Sequence, residues 1–266
     1  MKFSICIDAV LPSMPPADAI YVVREAGFRA FEFWGWQGKD LSAMQAAKDE
    51  SAMELVAFCT SAFELTEPSR RAAYIEALRE SIAVAGRLGC RSLITQVGQD
   101  LGGARSLRDE QHRSVADGLR DEQRKSVADG LRAAAPLVEA AGITLLFEPL
   151  NTKIDHAGYY LSSSDEARAI AEEVGSPNVR VLFDLYHQQI TEGDIIRRSV
   201  AMLPLIGHFH AAGNPGRHEL DDGELNYPGV FRALAAAGYS GCVGLEYSPS
   251  GDPRESLRRA AALCGI

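Results

Sequence analysis

Eight short apolar runs recur along the chain, and a stretch with the three- and four-residue spacing of a helix separates each run from the next. The runs are nearly continuous in apolar residues, which is typical of strands buried on both faces of a parallel sheet. Eight strand–helix units in 266 residues predict an α/β protein with a single (β/α)8 TIM barrel over residues 1–266. We predict the strands at 3–8, 29–33, 54–59, 92–97, 143–148, 179–184, 205–210 and 242–246.

An open doubly wound sheet is the alternative architecture. Such a sheet normally carries a glycine-rich phosphate loop after its first strand, and the segment IDAVLPSMPP is not one. Helical spacing predicts helices over 70–88 and 228–237, among others, and several of them end at a glycine. The barrel is therefore the preferred fold.

The chain contains a tandem repeat between the fourth and fifth predicted strands. Residues 107–118 (LRDEQHRSVADG) and 119–130 (LRDEQRKSVADG) agree at ten of twelve positions. Twelve residues rotate the buried face of an ideal helix by about 120°, so one straight helix cannot bury both copies by the same face. We expect a break near Gly118, with the first copy projecting as an extra segment. A lid, an oligomer contact and a tolerated duplication in a surface connection all remain open.

Composition limits the kinds of partner. The 27 Lys and Arg residues against 36 Asp and Glu residues give a net charge of −9, which argues against non-specific nucleic-acid binding. No apolar run is long enough to cross a membrane, and the segment MKFSICIDAV does not resemble a signal peptide. Five cysteines without a CxxC motif favour a reduced, cytoplasmic protein.

Four consecutive predicted strands end in a residue that can bind a metal ion. Glu148, Asp184, His210 and Glu246 follow one another at spacings of 36, 26 and 36 residues, about one strand–helix unit each. The C-terminal strand ends of a TIM barrel meet at one mouth, where its chemistry takes place. Three carboxylates gathered there raise one another's pKa unless a cation compensates them. Three oxygen ligands and one nitrogen suit Mn²⁺ or Mg²⁺ best, with Co²⁺ and Zn²⁺ as alternatives.

Other polar residues fall on loops at the same mouth. His187 could polarise a substrate oxygen or make a contact at a helix start, and Arg217 could bind a substrate carboxylate or pair with acidic residues of its own loop. Lys153 is a weaker candidate for anion binding, and Trp34 could form a wall of the pocket. Glu32, within the second strand, is interpreted as a polar residue of the pocket without a more specific role.

Two further histidines are given no part in the site. His208 alternates with His210, and we expect its side chain to point to the opposite face of the strand. His156 is expected at the surface.

The segments FEPLN, FDLYHQQITEGD, IGHFHAAGNPGRHELDDGELNYPGVF and GLEYSP resemble the hydroxypyruvate isomerase family of xylose-isomerase-like TIM barrels. The resemblance is strong over 143–249 and rests mainly on element order over 1–105. It implies metal ligation by the four strand-end residues, an acid–base pair of Glu148 and Glu246, and substrate contacts from His187 and Arg217. Some isomerase relatives carry Gln at the position of His210, whereas the related ketose 3-epimerases carry His.

The resemblance implies a metal-dependent isomerase that interconverts hydroxypyruvate and tartronate semialdehyde, or a close 2-oxo acid, through an enediolate. A ketose 3-epimerase is the first alternative. A metal-dependent endonuclease or phosphodiesterase and a non-catalytic sugar-binding barrel are further ones. The expected partner is a small oxo acid or ketose, without nucleic acid or membrane, and the resemblance adds a homodimer or higher homo-oligomer.

Overall fold

Eight parallel strands form a closed barrel in which each strand pairs with its neighbours in chain order and β8 pairs with β1. A computed structural model describes residues 1–61, 64–102 and 110–266. The predicted TIM barrel is confirmed, and all eight strands lie at the predicted places. They are β1 (Lys2–Cys6), β2 (Ala30–Phe33), β3 (Glu54–Cys59), β4 (Ser92–Thr95), β5 (Thr144–Phe147), β6 (Val179–Asp184), β7 (Ile206–Ala211) and β8 (Cys242–Leu245).

Helices surround the barrel and pack their apolar faces on the strands. Gly89 and Gly175 end two of them in the left-handed conformation, at φ of 71° and 66°, as the glycines in the sequence indicate. The helices are α1 (Ile7–Val10), α2 (Pro16–Glu25), α3 (Leu41–Glu50), α4 (Arg71–Leu88), α5 (Glu110–Ala141), α6 (Ser164–Val174), α7 (Leu185–Thr191), α8 (Ile195–Met202), α9 (Tyr227–Ala236) and α10 (Pro253–Cys264).

The first strand is shorter than its apolar run indicates. It ends at Cys6, and the next four residues form α1. This turn lets the carboxylate of Asp8 accept a hydrogen bond from the Trp34 backbone at 2.8 Å and pair with Lys39 at 3.0 Å. The two polar partners of Asp8, Trp34 and Lys39, therefore both lie on the loop after β2.

The interior of the barrel is apolar on one side and polar on the other. A small buried apolar cluster fills the side formed by β3 to β6, with Ala57, Ile94, Leu146 and Leu182. On the opposite side, the interior holds three buried polar side chains: Ser4, Glu32 and His208. Because buried polar groups need hydrogen-bond partners, this second side has to satisfy its own donors and acceptors.

The tandem repeat does not break the helix. Helix α5 runs without interruption from Glu110 to Ala141, through Gly118, so the expected break is wrong. An α-helix satisfies its own backbone hydrogen bonds, and it can therefore continue beyond the surface on which it packs. Gly118 and Leu119 are exposed, whereas Ser126 and Val127 of the second copy are buried. Residues 107–109 of the first copy lie outside the described residues.

Within the part of the chain that the structure describes, no helix combines the length and the apolar character that crossing a membrane requires.

Candidate active site

The four predicted ligand residues meet at the C-terminal mouth of the barrel. Each offers one ligand atom, these atoms all lie within 4.8 Å of one another, and all four residues are buried. The strands set this geometry, because Asp184 ends β6 opposite His210 of β7, while Glu148 and Glu246 follow β5 and β8 directly. The four residues that the sequence spacing predicts to meet therefore do meet, and they are called the ligand cluster below.

Asp184 is fixed by the helix that it begins. Its Oδ1 accepts hydrogen bonds from the backbone N–H groups of Tyr186 at 2.8 Å and His187 at 3.3 Å, which makes Asp184 the N-cap of α7. Its Oδ2 lies 3.5 Å from Nε2 of His187. One carboxylate oxygen of Asp184 therefore caps the helix, and the other is left free to act as a ligand atom of the cluster.

The two glutamates of the cluster have opposite electrostatic environments. Burial raises the pKa of Glu148 well above its usual value, and the charges of Glu246 and Asp184 raise it further against the opposing effect of His210. Burial alone would also raise the pKa of Glu246, but Arg217 and His210 outweigh it and hold that pKa well below its usual value. The same mouth therefore contains one carboxyl that retains its proton readily and one that stays ionised.

The cluster fits a divalent cation. Oε1 of Glu148 and Nδ1 of His210 are buried polar atoms without a hydrogen-bond partner among the described residues. Nδ1 lies 3.8 Å from that Glu148 oxygen and 3.3 Å from Oε2 of Glu246. Unpartnered buried polar atoms are rare in folded proteins, and a metal ion would satisfy both of them at once. Three carboxylates and one imidazole form a donor set of the kind that Mn²⁺ and Mg²⁺ accept.

His208 points to the same side of β7 as His210, so the expectation of opposite faces is wrong. Residues two apart on a strand share a face, and the two imidazole rings lie 5.1 Å apart between centroids. Nε2 of each ring contacts Oε2 of Glu32, at 3.2 Å for His208 and 3.0 Å for His210. Glu32, expected as a polar residue of the pocket, thus lies behind a predicted metal ligand and does not line the cavity.

His187 presents one nitrogen to the cavity and has the other one occupied. The amide Nδ2 of Asn151 donates to His187 Nδ1 at 2.6 Å, which places the ring proton on Nε2. Nε2 has no hydrogen-bond partner among the described residues. Burial lowers the pKa of His187 to about 4, so the ring is neutral near pH 7. The residue is a neutral donor that can reach a substrate oxygen.

Arg217 lies at the cavity and pairs with Glu246. Its Nη2 donates to Oε2 of Glu246, and its guanidinium carbon lies 5.5 Å from the centroid of the Tyr186 ring. The acidic residues of its own loop are engaged elsewhere, since Asp221 pairs with Arg259 at 2.6 Å and Glu219 accepts from Ser250. The remaining N–H groups of Arg217 have no protein partner within the described ranges.

Trp34 forms part of the cavity wall, as expected. It is 44% exposed, and its indole Nε1 donates to Oε1 of Glu246. Trp36 instead extends to Ser81, to which its indole donates at 3.4 Å.

The structure does not bring Lys153 to the site. Its Nζ donates to the carbonyl oxygens of Ile190 at 2.8 Å and Thr191 at 3.1 Å, at the C-terminal end of α7. A lysine ammonium is attracted to the unpaired carbonyls and the negative end of the dipole at such a terminus. Lys153 therefore links the loop after β5 to α7, and it is not placed for the anion binding expected from the sequence.

His156, expected at the surface, is half-buried and lines the cavity. Its ring lies 5.2 Å from that of His187 in an edge-on arrangement. The loop after β5 is held locally by a hydrogen bond from the backbone N–H of His156 to the carbonyl oxygen of Asn151 at 3.1 Å, and its sequence has no periodic pattern that indicates the position of His156.

A cavity of about 540 Å³ opens above the ligand cluster. Its size lies within the range of about 300–1,000 Å³ that is usual for small-molecule sites. Amide and hydroxyl side chains line the part formed by the loops after β2, β3 and β4, namely Gln37, Thr60, Ser61, Gln96 and Gln99.

A comparison with protein families matches residues 20–264 to the model described as "Xylose isomerase-like TIM barrel". The chain belongs to this family. The match covers the whole barrel after β1, including the four strand ends that carry the ligand cluster. It confirms the fold and the family that the sequence motifs indicate.

The curated relatives are named as isomerases, which agrees with the aldose–ketose type of isomerase expected from the sequence. The chain is 32% identical to the putative hydroxypyruvate isomerase of Xenopus laevis over 97% of this chain and 94% of the relative. It is 28% identical to the hydroxypyruvate isomerase of Escherichia coli K12 over 88% of each chain. It is 47% identical to the 2-oxo-tetronate isomerase of Cupriavidus necator, over 44% of each chain.

Solved structures of similar fold carry several functional descriptions. The structure titled as an AP endonuclease, family 2, from Brucella melitensis has a TM-score of 0.87 and 29% identity, and it covers 98% of both chains. A structure of L-ribulose 3-epimerase has a TM-score of 0.81 at 21% identity, covering 100% of this chain and 94% of the other. The epimerase similarity concerns the fold alone.

Proposed function

We propose that this protein is a divalent-metal-dependent isomerase that interconverts hydroxypyruvate and tartronate semialdehyde, or a close 2-oxo acid. The observation that carries the proposal is the position of Arg217 in the same cavity as the buried pair Glu148 and Glu246. A guanidinium with free N–H groups can bind a substrate carboxylate by two parallel hydrogen bonds. The isomerase names of the relatives support the same reaction class.

The proposed reaction moves hydrogen between adjacent carbons. One glutamate of the pair removes a proton from C3 of hydroxypyruvate, which gives an enediolate, and the other glutamate, protonated for this step, delivers a proton to C2; proton exchange with solvent then restores both carboxyls. The hydroxyl proton passes from the C3 oxygen to the C2 oxygen, so the product is an isomer and no co-reactant is consumed. His187 donates a hydrogen bond from Nε2 to a substrate oxygen and so helps to hold the substrate in place.

Glu148, Asp184, His210 and Glu246 would hold the cation, for which we propose Mn²⁺ or Mg²⁺. When bound, the cation supplies Lewis-acid stabilisation for the negative charge that develops on the two substrate oxygens. The four residues are buried, which strengthens such interactions because little water screens them.

Proton NMR of substrate mixtures in the presence of Mg²⁺ tests the proposal. We expect the hydroxypyruvate signals to decline as those of tartronate semialdehyde appear, while fructose and tagatose remain unchanged. Glu148→Gln and Glu246→Gln should each abolish turnover while leaving a folded protein. Full activity in both variants would contradict the mechanism, and turnover of a ketose alone would contradict the substrate class.

A ketose 3-epimerase is the second candidate. His210 stands where the ketose 3-epimerases carry His, and a cavity of about 540 Å³ has room for a six-carbon ketose. In that case a proton would leave and return at C3 from opposite faces. An endonuclease is disfavoured, because a net charge of −9 opposes binding to a nucleic-acid backbone.

The five cysteines are all free, which supports the proposal of a reducing compartment such as the cytoplasm. A homodimer stays a prediction, and light scattering coupled to size-exclusion chromatography tests it.

A further inference from the structure

Glu32 is a carboxylate enclosed within the barrel, below the mouth. It is 1% exposed, and its three hydrogen-bonding neighbours are all buried. Oε1 accepts from the hydroxyl of Ser4 at 2.6 Å, and Oε2 faces Nε2 of His208 at 3.2 Å and Nε2 of His210 at 3.0 Å. Since a buried carboxylate is costly unless it is paired and hydrogen-bonded, this complete set of contacts explains how the group is tolerated.

The contact with Glu32 determines which nitrogen of His210 faces the ligand cluster. A carboxylate oxygen can only accept, so Nε2 of His210 must carry the proton at this contact. Nδ1 is then the nitrogen that can give its lone pair to a cation, and it is the atom that lies near Glu148 and Glu246. Metal-binding histidines commonly donate their second ring nitrogen to a carboxylate in this way, which fixes both the tautomer and the ring orientation.

We propose that Glu32 is a positioning residue that holds His210 in the orientation and tautomer of a metal ligand, and that His208 and Ser4 hold Glu32. This inference rests on the proposed metal site. The donors on both oxygens prevent Glu32 from rotating away from His210. His208 contacts the same oxygen of Glu32 as His210 does, from a second direction. Its part is therefore structural only: it helps to fix the carboxylate.

The backbone of β8 limits the space behind this contact. A Cβ atom at Gly244 would lie 2.0 Å from Oε1 of Glu32 and 2.8 Å from Cδ2 of His210. Gly244 pairs in register with both Ser4 of β1 and His210 of β7. The absence of a side chain at Gly244 is thus what allows the carboxylate and the imidazole to meet.

Two substitutions of graded severity test the proposal. Glu32→Met keeps the side chain's length but removes both acceptors, whereas Glu32→Gln keeps one acceptor oxygen that can still face the histidines. Mn²⁺ affinity is measured by competition with a fluorescent chelator, and thermal unfolding of the metal-free proteins is recorded in parallel. Glu219→Met is the matched control, because Glu219 is also a buried carboxylate but contacts Ser250 instead of a predicted ligand.

We expect Glu32→Met to weaken Mn²⁺ binding by about 10–100-fold, the usual effect of losing such an outer partner. Glu32→Gln should recover part of that loss, and Glu219→Met should bind Mn²⁺ as the wild type does. Undiminished Mn²⁺ affinity in Glu32→Met would overturn the proposal. So would an equal loss in the Glu219→Met control, since it would reflect general destabilisation.

Nitrogen-15 NMR of the Zn²⁺-loaded wild type reads the protonation of His210 in the unsubstituted protein. The His210 signals, assigned by their loss in His210→Asn, should show a proton on Nε2 and none on Nδ1. A proton on Nδ1, or no change on adding Zn²⁺, would overturn the proposal. Both readouts are independent of catalysis, so a protein that binds metal as described but does not isomerise 2-oxo acids would contradict only the proposed function.

Discussion

Metal binding at the ligand cluster is expected to release protons. In the metal-free protein, the pKa of Glu148 is raised by burial and by Glu246 and Asp184. The pKa of His210 is raised well above its usual value, because the charges of Glu246 and Glu32 outweigh the effect of burial. Both groups therefore hold protons that a cation must displace. Metal affinity should fall as the pH is lowered through the raised values of these two groups.

The magnitude follows from the number of protons displaced. Each proton that competes with the metal changes the apparent affinity by about tenfold per pH unit, or about 1.4 kcal/mol. Displacement from Glu148 alone gives about tenfold per unit, and displacement from Glu148 and His210 together gives about a hundredfold per unit. The affinity should reach a plateau once the pH exceeds the raised values, because no protons then remain to be displaced.

Isothermal titration with Mn²⁺ in buffers of different ionisation enthalpy counts the released protons. We expect the wild type to release protons on binding, Glu148→Gln to release fewer, and the surface variant Glu54→Gln to release as many as the wild type. Equal heats in all buffers, or an affinity that does not vary between acidic and neutral pH, would refute this account of the cluster.

Four further substitutions test other parts of the structure. Arg217→Met should raise KM for a 2-oxo acid by about 10–100-fold, the effect of losing hydrogen bonds to a charged group; an unchanged KM would exclude Arg217 from carboxylate binding. Lys153→Met should leave that KM unchanged, and a rise would return Lys153 to the site. Gly244→Ala should lower the free energy of unfolding by about 1–3 kcal/mol through overpacking and weaken Mn²⁺ binding. Gly251→Ala, with open space around its Cβ position, serves as its control, and equal denaturant midpoints for the two variants would contradict the close packing at Gly244. Gly118→Ala should stabilise the protein by up to about 1 kcal/mol in urea unfolding, because alanine favours a helix interior; a loss of stability would contradict an unbroken α5.

The sequence was sufficient to predict the barrel and the ligand cluster, for one physical reason. Strands buried on both faces produce continuous apolar runs, and the ends of parallel strands in a closed barrel converge on one mouth. A polar residue directly after such a run is therefore placed in space by its position along the chain. For this reason the sequence alone predicts that Glu148, Asp184, His210 and Glu246 lie together.

The parts that sequence reasoning missed depend on contacts across the barrel or on loop paths. Glu32 lies on β2 and contacts His208 and His210 of β7, although β1 and β8 lie between these two strands in the sheet. The spacing of residues along the chain does not predict such a contact. His208 could have been predicted, since a two-residue interval places both histidines on one face of a strand. The positions of His156 and Lys153 follow from how the loop after β5 packs against α7, for which the local sequence offers no periodic signal.

The most direct test of the central claim is solvent deuterium exchange at C3 of hydroxypyruvate, followed by proton NMR in D₂O. The account predicts exchange by the Mg²⁺-loaded wild type, no exchange after removal of metal with a chelator, restored exchange on adding Mg²⁺ back, and none in Glu148→Gln or Glu246→Gln. Exchange that persists without metal, or that survives in both glutamine variants, would contradict a metal-assisted proton transfer between these two glutamates.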